Sequence, residues 1–353
     1  MGMQFGDIGD LVASTLRELG RGKWTDLTSD VQMHHAMRRL MSKKRMEVYD
    51  SGYEFAFNVM TGHNNSARFV PIAYSAQVNV TDNVISGNHP FRHVTYNWGV
   101  DRKEIAANRA SPQRILDLVK VRRKAAQISM VELLETAFWQ CPAASDTERA
   151  HGVYYWIVKS ATANTTNDGF NGGAPSGYTT VGGINPTTYA RWKNWASPYT
   201  AVTKDDFVAA LDKGMDMTEF TPPVDMATYN DGDDYEFLTT RSVRKSLKDI
   251  AESQNDNLGF DLDPAMGKVR FRRTPISWVR VLDNDTDNPL FGINWGTFFV
   301  ATLRGEWMVD TSFDKLPNQP TMSAVHTDST FNYACFDRRR NLVLSTGTSG
   351  VVA

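Results

Sequence analysis

The sequence predicts an α+β fold with about two lobes and a largely antiparallel sheet. Residues 53–100 contain strand-like runs separated by turn signals. Residues 111–141 carry an apolar stripe at helical spacing and give the strongest helix signal in the chain. Residues 203–320 mix helices with short strands that are separated by turns, a pattern that favours α+β architecture.

The composition is compatible with a packed core. The chain has 353 residues, of which 41% are hydrophobic, and its formal net charge is −2. A protein that gains its affinity by neutralising phosphates should be basic overall. Sequence-specific nucleic-acid binding is therefore disfavoured, while a weak contact with DNA stays open. No apolar run approaches the roughly 18–20 residues that span a bilayer, so no membrane association is expected.

The first fifty residues are predicted to form an arm of small amphipathic helices. Residues 6–20 place apolar side chains at helical spacing. A second helix is predicted over residues 29–48, with Ser29 or Asp30 as its N-cap. Basic residues in its last turns suit the helix dipole, and we interpret them as a solvated or interface face. These candidates are Arg38, Arg39, Lys43, Lys44 and Arg45.

Residues 53–100 are predicted to form a long, weakly charged hairpin with turns at Gly62–Asn65 and Ser86–Asn88. The stretch contains no lysine. An isolated two-stranded hairpin is marginal in water. We therefore expect its exposed edges and aromatic side chains to pair with another chain.

The long helix over residues 111–141 has Ser111 as a possible cap and Pro112 in its first turn. At 1.5 Å per residue it would be a strut of roughly 45 Å. Its middle is basic, and two interpretations stay open with equal weight: contact with DNA or an acidic neighbour, or a solvent-facing surface. The residues are Lys120, Arg122, Arg123 and Lys124.

Residues 160–200 are rich in Thr, Asn and Gly, and we predict an ordered loop there because its Trp and Tyr side chains need packing partners. A helix is predicted from Thr203 to about Met215, followed by a strand over 234–240 and a helix over 242–254. Short strands follow, the last of them near the C-terminus.

No pattern of catalytic or metal-binding residues is convincing. Asp283, Asp285 and Asp287 imitate the start of a calcium loop, but Asn288 replaces the expected Gly and Asn294 the closing Glu. A polar turn is favoured, although a weak cation site stays open.

The histidines and cysteines also lack a convincing pattern. His89 and His93 have the spacing of a helical metal pair, but Pro90 argues against a helix. Cys141 and Cys335 form no CxxC pair and are interpreted as buried small hydrophobes. Nucleophile-elbow and phosphate-loop patterns are missing, so no enzyme activity, metal or cofactor is predicted.

The order of these elements resembles the Hong Kong 97 fold of tailed-phage major capsid proteins. Arm helices, a sparse hairpin, a strut helix, a glycine-rich passage, an α+β lobe and a final strand follow one another as in that family. The passage GGINPTTYARWKNW over residues 182–195 resembles the family's Gly-Gly-Ile turn followed by Thr-Tyr, an aromatic, a basic residue and Asn. A helix beginning at Val202–Asp206 follows it, as in relatives.

The resemblance implies five parts. These are an N-arm (1–51), an E-loop hairpin (52–103), a spine helix with a P-domain (104–200), an A-domain with an antiparallel sheet and flanking helices (201–322), and C-terminal P-domain strands (323–353).

The resemblance also implies a structural role in the virion. Subunits would assemble in the host cytoplasm into pentamers and hexamers, using head-to-tail contacts that close into rings. The resulting icosahedral head would enclose double-stranded DNA. The E-loop and the N-arm would reach neighbouring subunits, and the spine helix would face the interior. Expected partners are other copies of the chain, a scaffolding protein, a portal, a decoration protein and non-specifically bound packaged DNA.

One departure from the family is informative. The founding member joins an E-loop lysine covalently to an asparagine on a neighbour, whereas residues 53–101 contain no lysine here. We predict no such cross-link between subunits. The start at Met1 without a long helical prefix favours a separate scaffolding protein.

Two other classes of protein stay open. An encapsulin-type nanocompartment uses the same fold, typically with a shorter chain and an enzyme as cargo. A cytoplasmic enzyme with an irregular α+β fold would instead form a small oligomer with a concave polar pocket.

Overall fold

The computed structural model describes residues 35–42, 45–62, 67–72, 82–107, 112–159, 168–219, 234–253, 269–272, 274–316 and 318–347. The helix predicted over residues 6–20 lies outside these ranges, as do residues 63–65 of the predicted turn and the single residues Ser29, Asp30, Lys43, Lys44 and Ser111.

The helices follow the predicted order. The bounds are α1 His35–Ser42, α2 Arg102–Ala107, α3 Pro112–Phe138, α4 Val153–Trp156, α5 Ala209–Thr218 and α6 Arg241–Ser253. The long helix is confirmed as α3, whose 27 residues make a rod of about 40 Å. The helix expected to reach residue 48 was predicted too long. It ends at Ser42, and the apolar residues that follow pair in a sheet as strand β1, Met46–Tyr49.

A six-stranded sheet is built around one long strand. It contains β1, β4 Arg92–Asp101, β11 Phe298–Leu303, β12 Val309–Asp310, β13 Asp314–Leu316 and β14 Gln319–Cys335. β14 pairs antiparallel with β4 from Met322 opposite Asp101 to Phe331 opposite Arg92. It also pairs with β11, which carries β1 on its other edge in parallel.

A seven-stranded sheet forms the second layer. Its order is β5 Gly169–Gly172, β6 Asn194–Pro198, β15 Leu342–Ser345, β10 Leu290–Asn294, β7 Tyr235–Thr239, β9 Thr274–Trp278 and β8 Arg270–Phe271. The β6–β15 and β7–β9 pairs are parallel and the others antiparallel, as the sequence predicted for most of the sheet. The predicted loop over 160–200 was wrong for β5 and β6. β6 pairs with β15, which is remote in sequence, and β5 pairs with the other edge of β6.

A separate hairpin joins β2 Glu54–Met60 to β3 Val84–Pro90, with Glu54 opposite Pro90 and Met60 opposite Val84. The turn predicted at Ser86–Asn88 was wrong, because these residues lie inside β3. Gly87 faces Phe57 in the ladder, so this glycine serves close packing and not a chain reversal.

The sheets cross the part boundaries expected from the sequence. The expected boundary between the A-domain and the C-terminal part, between residues 322 and 323, falls inside strand β14. β11, from the expected A-domain, lies in the six-stranded sheet, and β15, from the expected C-terminal part, lies in the seven-stranded sheet. One core cluster joins the hairpin, α1, α3, α4 and residues of both sheets. A second lies between the seven-stranded sheet and helices α5 and α6.

Candidate functional site

The base of the hairpin is part of the core. β2 alternates exposed and buried residues, and its inward side chains Phe55 and Phe57 are almost fully buried. Phe55 packs against Phe91 and Phe299, and Phe57 packs against Trp192. These contacts therefore anchor the base of the hairpin in the core.

The Gly-Gly-Ile turn of the family-like passage packs on this base. Gly182 and Gly183 have φ angles of +58° and +79°, which favour glycine. A Cβ on Gly183 would lie 2.8 Å from the backbone nitrogen of Asn88, so the turn approaches β3 at backbone distance. Trp192 Nε1 donates to the Val181 carbonyl at 2.9 Å and closes the passage on itself. The passage identified in the sequence thus positions the hairpin.

Between the two hairpin strands, the described residues 67–72 present apolar side chains to solvent. Phe69 and Ile72 are fully exposed, and Val70 is half exposed. We call the described residues 67–72 the hairpin tip. Clustered exposed apolar side chains mark a contact with another molecule. The tip is therefore the first candidate assembly surface.

Two buried histidines pack against each other at the base of the hairpin. The rings of His89, on β3, and His151, which follows α3, have centroids 4.7 Å apart. Burial, and then the charge of Arg92, lowers the pKa of His151 to about 3, and burial also lowers the pKa of His89. Both rings are therefore neutral near pH 7. His93 lies apart from this pair and hydrogen-bonds Thr330 Oγ1 at 2.9 Å.

α3 is connected to α1 by one buried carboxylate. Glu135 accepts hydrogen bonds from the backbone nitrogens of Ala36 and Met37, at 3.1 and 2.9 Å, in the first turn of α1. It also accepts one from Trp139 Nε1 at 2.8 Å. A carboxylate at a helix N-terminus satisfies unpaired N–H groups and suits the dipole. The long helix therefore fixes the end of the arm.

The described basic candidates near α1 divide into two groups. Arg39 Nε lies 2.9 Å from Glu236 Oε2, and the guanidinium of Arg45 lies 3.8 Å from Asp234 Oδ2. These ion pairs connect the arm to β7 and to the residue that directly precedes it. Arg38 is exposed and forms no ion pair with a described residue.

The basic candidates on α3 divide in the same way. Arg122 donates to both carboxylate oxygens of Glu104, at 2.8 and 2.9 Å, and these bonds lower the pKa of Glu104. Arg123 lies 3.0 Å from Asp310 Oδ2. Lys120 and Lys124 form no ion pair within the described part of the chain, and Lys124 is exposed. Only part of the predicted basic face is thus left for another molecule.

Arg338 is a buried cation that the sequence analysis missed. Its guanidinium donates to the carbonyl oxygens of Trp156, Trp192 and Gly173 at 2.7, 2.8 and 2.7 Å. Burial lowers its pKa to about 10, so it stays charged. Its hydrogen bonds connect the passage over residues 172–194 to the segment that follows β14. In sequence Arg338 stands in a run of three arginines, which looks like a surface feature.

The aspartates that imitate a calcium loop face a buried lysine. Lys159 Nζ lies 2.6 Å from Asp285 Oδ2 and 2.9 Å from Asp287 Oδ2. Asp283 points elsewhere and accepts from Trp278 Nε1 and the backbone nitrogen of Arg241. Across the described residues, no group of three His, Cys, Asp or Glu side chains is arranged to hold a metal ion.

The remaining chemical features have a packing role. Cys141 and Cys335 are buried free thiols, as predicted, and burial raises the pKa of each to about 12. A groove of about 410 Å³ lies between α3 and β4, bordered by Leu133, Ala137 and Val94.

Among the described helices, none combines the length and apolar character needed to cross a bilayer.

The fold is that of phage-type capsid shell subunits, and the α+β, Hong Kong 97-like class expected from the sequence is confirmed. This chain combines two larger sheets, a two-stranded hairpin and a long helix. No family model matches the sequence, and no curated protein matches it.

Three solved structures illustrate the likeness. A chain of the cyanophage A-1(L) capsid asymmetric unit has a TM-score of 0.62 at 14% identity, over 96% of this chain and 99% of that one. The capsid of a native GTA particle has a TM-score of 0.51 at 11% identity, over 92% and 95%. The capsid of Myoviridae phage XM1 has a TM-score of 0.51 at 8% identity, over 93% and 97%. At these identities the likeness establishes the fold.

Proposed function

We propose that the chain is the major capsid protein of a tailed bacteriophage. It assembles into pentamers and hexamers of an icosahedral head around double-stranded DNA, and it acts as a structural protein and not as an enzyme. The observation that carries the proposal is the end-to-end likeness to a cyanophage capsid subunit, which covers nearly the whole length of both chains.

The hairpin tip is the proposed contact with a neighbouring subunit. Its base is held rigidly by Phe55 and Phe57, whereas Phe69 and Ile72 have no cover within the described residues. An apolar hairpin tip on an anchored base fits a head-to-tail ring, in which one patch of each subunit contacts a different patch of the next subunit. In family terms, residues 52–103 are the E-loop.

Arg38, Lys120 and Lys124 are the proposed basic contacts with another molecule, because their charges are not used by ion pairs within the described chain. Packaged DNA, bound through its phosphates, or an acidic scaffolding protein would suit them. Arg39, Arg45, Arg122 and Arg123 hold the arm and the spine in place. Portal and decoration proteins complete the proposed set of partners.

Expression with the neighbouring phage genes, followed by electron microscopy and sedimentation, tests the proposal. Closed shells with five-fold and six-fold rings that package DNA are expected. Shells loaded with a co-expressed enzyme would favour an encapsulin. Small discrete oligomers in the presence of the scaffolding protein would contradict both shell functions and favour the enzyme.

Assembled shells should also dissociate completely into single chains in denaturing gels. Residues 53–101 contain no lysine for a covalent link from the hairpin to its neighbour. Ladders of covalent dimers and higher oligomers would contradict this part of the proposal.

A further inference from the structure

Lys159 belongs to a buried polar cluster that the proposed shell function does not use. Its Nζ is within 2.6 Å of Asp285 Oδ2 and 2.9 Å of Asp287 Oδ2. The side chains of Lys159 and Asp285 are 3% and 2% exposed. Burying an ammonium and a carboxylate together carries a large desolvation cost, which the attraction between them offsets only in part. A reaction that removes both charges would remove the cost of this pair and leave only the Asp287 carboxylate, whose side chain is 13% exposed.

We propose that Lys159 and Asp285 form an intramolecular isopeptide bond, with Asp287 as the proton carrier. The bond lies within one subunit, so it is distinct from any cross-link between subunits. It rests on the geometry of the cluster and does not depend on the proposed function.

The reaction needs no oxidant and no co-reactant. Lys159 first passes a proton to Asp285, which leaves a neutral amine beside a carboxylic acid. The Nζ lone pair attacks Cγ of Asp285, and the new C–N bond forms. Asp287 accepts a second proton from the nitrogen and hands it to the departing oxygen. One C–O bond breaks, water leaves, and an amide replaces the ammonium–carboxylate pair.

Neighbouring groups are placed to assist the attack. The backbone N–H of Asp287 donates to Asp285 Oδ1 at 3.0 Å, where negative charge develops in the tetrahedral intermediate. The hydroxyl of Tyr154 donates to Oδ2. Burial, and then the charge of Asp285, raises the pKa of Tyr154, so this hydroxyl keeps its proton. Phe291 packs edge-on against the Tyr154 ring, with centroids 5.0 Å apart.

Proximity lowers the activation barrier that a free lysine and a free aspartate face. Well-oriented intramolecular reactions reach effective molarities of about 10⁵–10⁸ M, and the burial of the site disfavours the return of water. Residues 159 and 285 are 126 positions apart. A bond between them would join the segment after α4 to the turn before β10, and it would restrict the unfolded chain as a disulfide does.

The intact mass of the denatured full-length protein tests the proposal without any variant. We expect the wild-type chain to be lighter than its sequence by one water molecule, both freshly purified and after storage at neutral pH. Protease digestion should release a branched peptide that contains Lys159 and Asp285. A chain with the full sequence mass in both samples would overturn the proposal.

Three variants locate the reaction. Lys159→Arg keeps the charge but removes the nucleophile, and it should have its full mass. Asp287→Asn should also have its full mass, or lose water much more slowly. Lys213→Arg is the matched control, because Lys213 Nζ also lies 2.6 Å from an aspartate, Asp168 Oδ2, but is 56% exposed. This control should remain lighter by one water.

Two outcomes would count against the assignment. Loss of water that persists in Lys159→Arg would come from elsewhere, for example from a succinimide at Asp168-Gly169, and would overturn the isopeptide bond. A full yield of the bond in Asp287→Asn would overturn the role of Asp287 as the proton carrier. Neither outcome bears on shell formation, which is measured separately.

Discussion

Gly87 and Gly182 meet at backbone distance, since a Cβ on Gly87 would lie 2.6 Å from the Gly182 carbonyl oxygen. The same Cβ would lie 2.7 Å from the Phe57 ring. This contact joins the hairpin to the Gly-Gly-Ile turn. It explains why a glycine stands in the middle of a strand, where glycine otherwise weakens pairing.

The Gly87→Ala variant should therefore destabilise the subunit. Overpacking of this kind costs about 1–3 kcal/mol of the free energy of unfolding. Thermal or urea denaturation of the unassembled chain measures the effect. Gly62→Ala is the control in the same hairpin, because a Cβ there would meet its nearest atom at 3.8 Å, an ordinary contact. Equal stability of the two variants would contradict the close approach.

The sequence predicted the parts of the fold whose signals are local. Pro112 marks the start of α3, and the alternation in residues 93–100 marks β4. The prediction failed for strands whose pairing partner is remote in the sequence. Asn194–Pro198 pairs with β15, almost 150 residues later, so no nearby residue shows that it is a strand.

The candidate site was predictable to a similar degree. Charge in the sequence identified the basic residues of α1 and α3, but it could not show that Arg122 is paired with Glu104. From its low charge the hairpin was predicted to contact another chain, and this stays a prediction that the assembly experiment tests. Arg338 was missed because its partners are backbone carbonyls, which carry no sequence signal.

The Arg338→Lys variant should lose much of the stability of the subunit. A lysine keeps the charge but cannot donate in several fixed directions, so buried carbonyls would lose their partners. We expect the free energy of unfolding to fall by about 3 kcal/mol or more. Arg149→Lys, at a side chain that is 55% exposed, should change it little. A wild-type melting temperature for Arg338→Lys would contradict a structural role for the guanidinium.

The buried histidine pair should make the subunit sensitive to acid. In the unfolded chain an imidazole has a pKa near 6.5, whereas in the folded chain the pKa of His151 is about 3. Between these values the unfolded state binds more protons than the folded state. The contribution of the neutral histidines to the free energy of unfolding is therefore fully present above about pH 6.5 and is lost as the pH falls. Each histidine contributes a slope of up to about 1.4 kcal/mol per pH unit.

Urea denaturation between pH 7 and pH 4 measures this slope. His151→Gln removes one of the two titrating groups, so its stability should depend less steeply on pH than that of the wild type. Carboxylates that do not interact with His151 contribute equally to both proteins, whereas Asp146, whose charge acts on His151, is part of the difference that is measured. Identical slopes for the two proteins would show that His151 does not control the acid response.

The hairpin tip supplies a prediction about assembly that leaves folding unaffected. Phe69 and Ile72 are exposed in the single subunit, so Phe69→Ser combined with Ile72→Ser should leave its melting temperature unchanged. Burial of an apolar side chain contributes about 1.5–3 kcal/mol. Loss of two such contacts should raise the subunit concentration needed for assembly about a hundredfold or more.

Sedimentation of particles across a series of subunit concentrations measures this threshold. Met217→Ser is the control, because Met217 is an exposed apolar residue on α5, which is not an element of the hairpin. It should assemble like the wild type. If the tip variant forms shells at the wild-type threshold, the tip is not an assembly contact, whatever the role of the rest of the hairpin. If its melting temperature falls instead, the tip contributes to the fold of its own subunit, and its exposed side chains need another explanation.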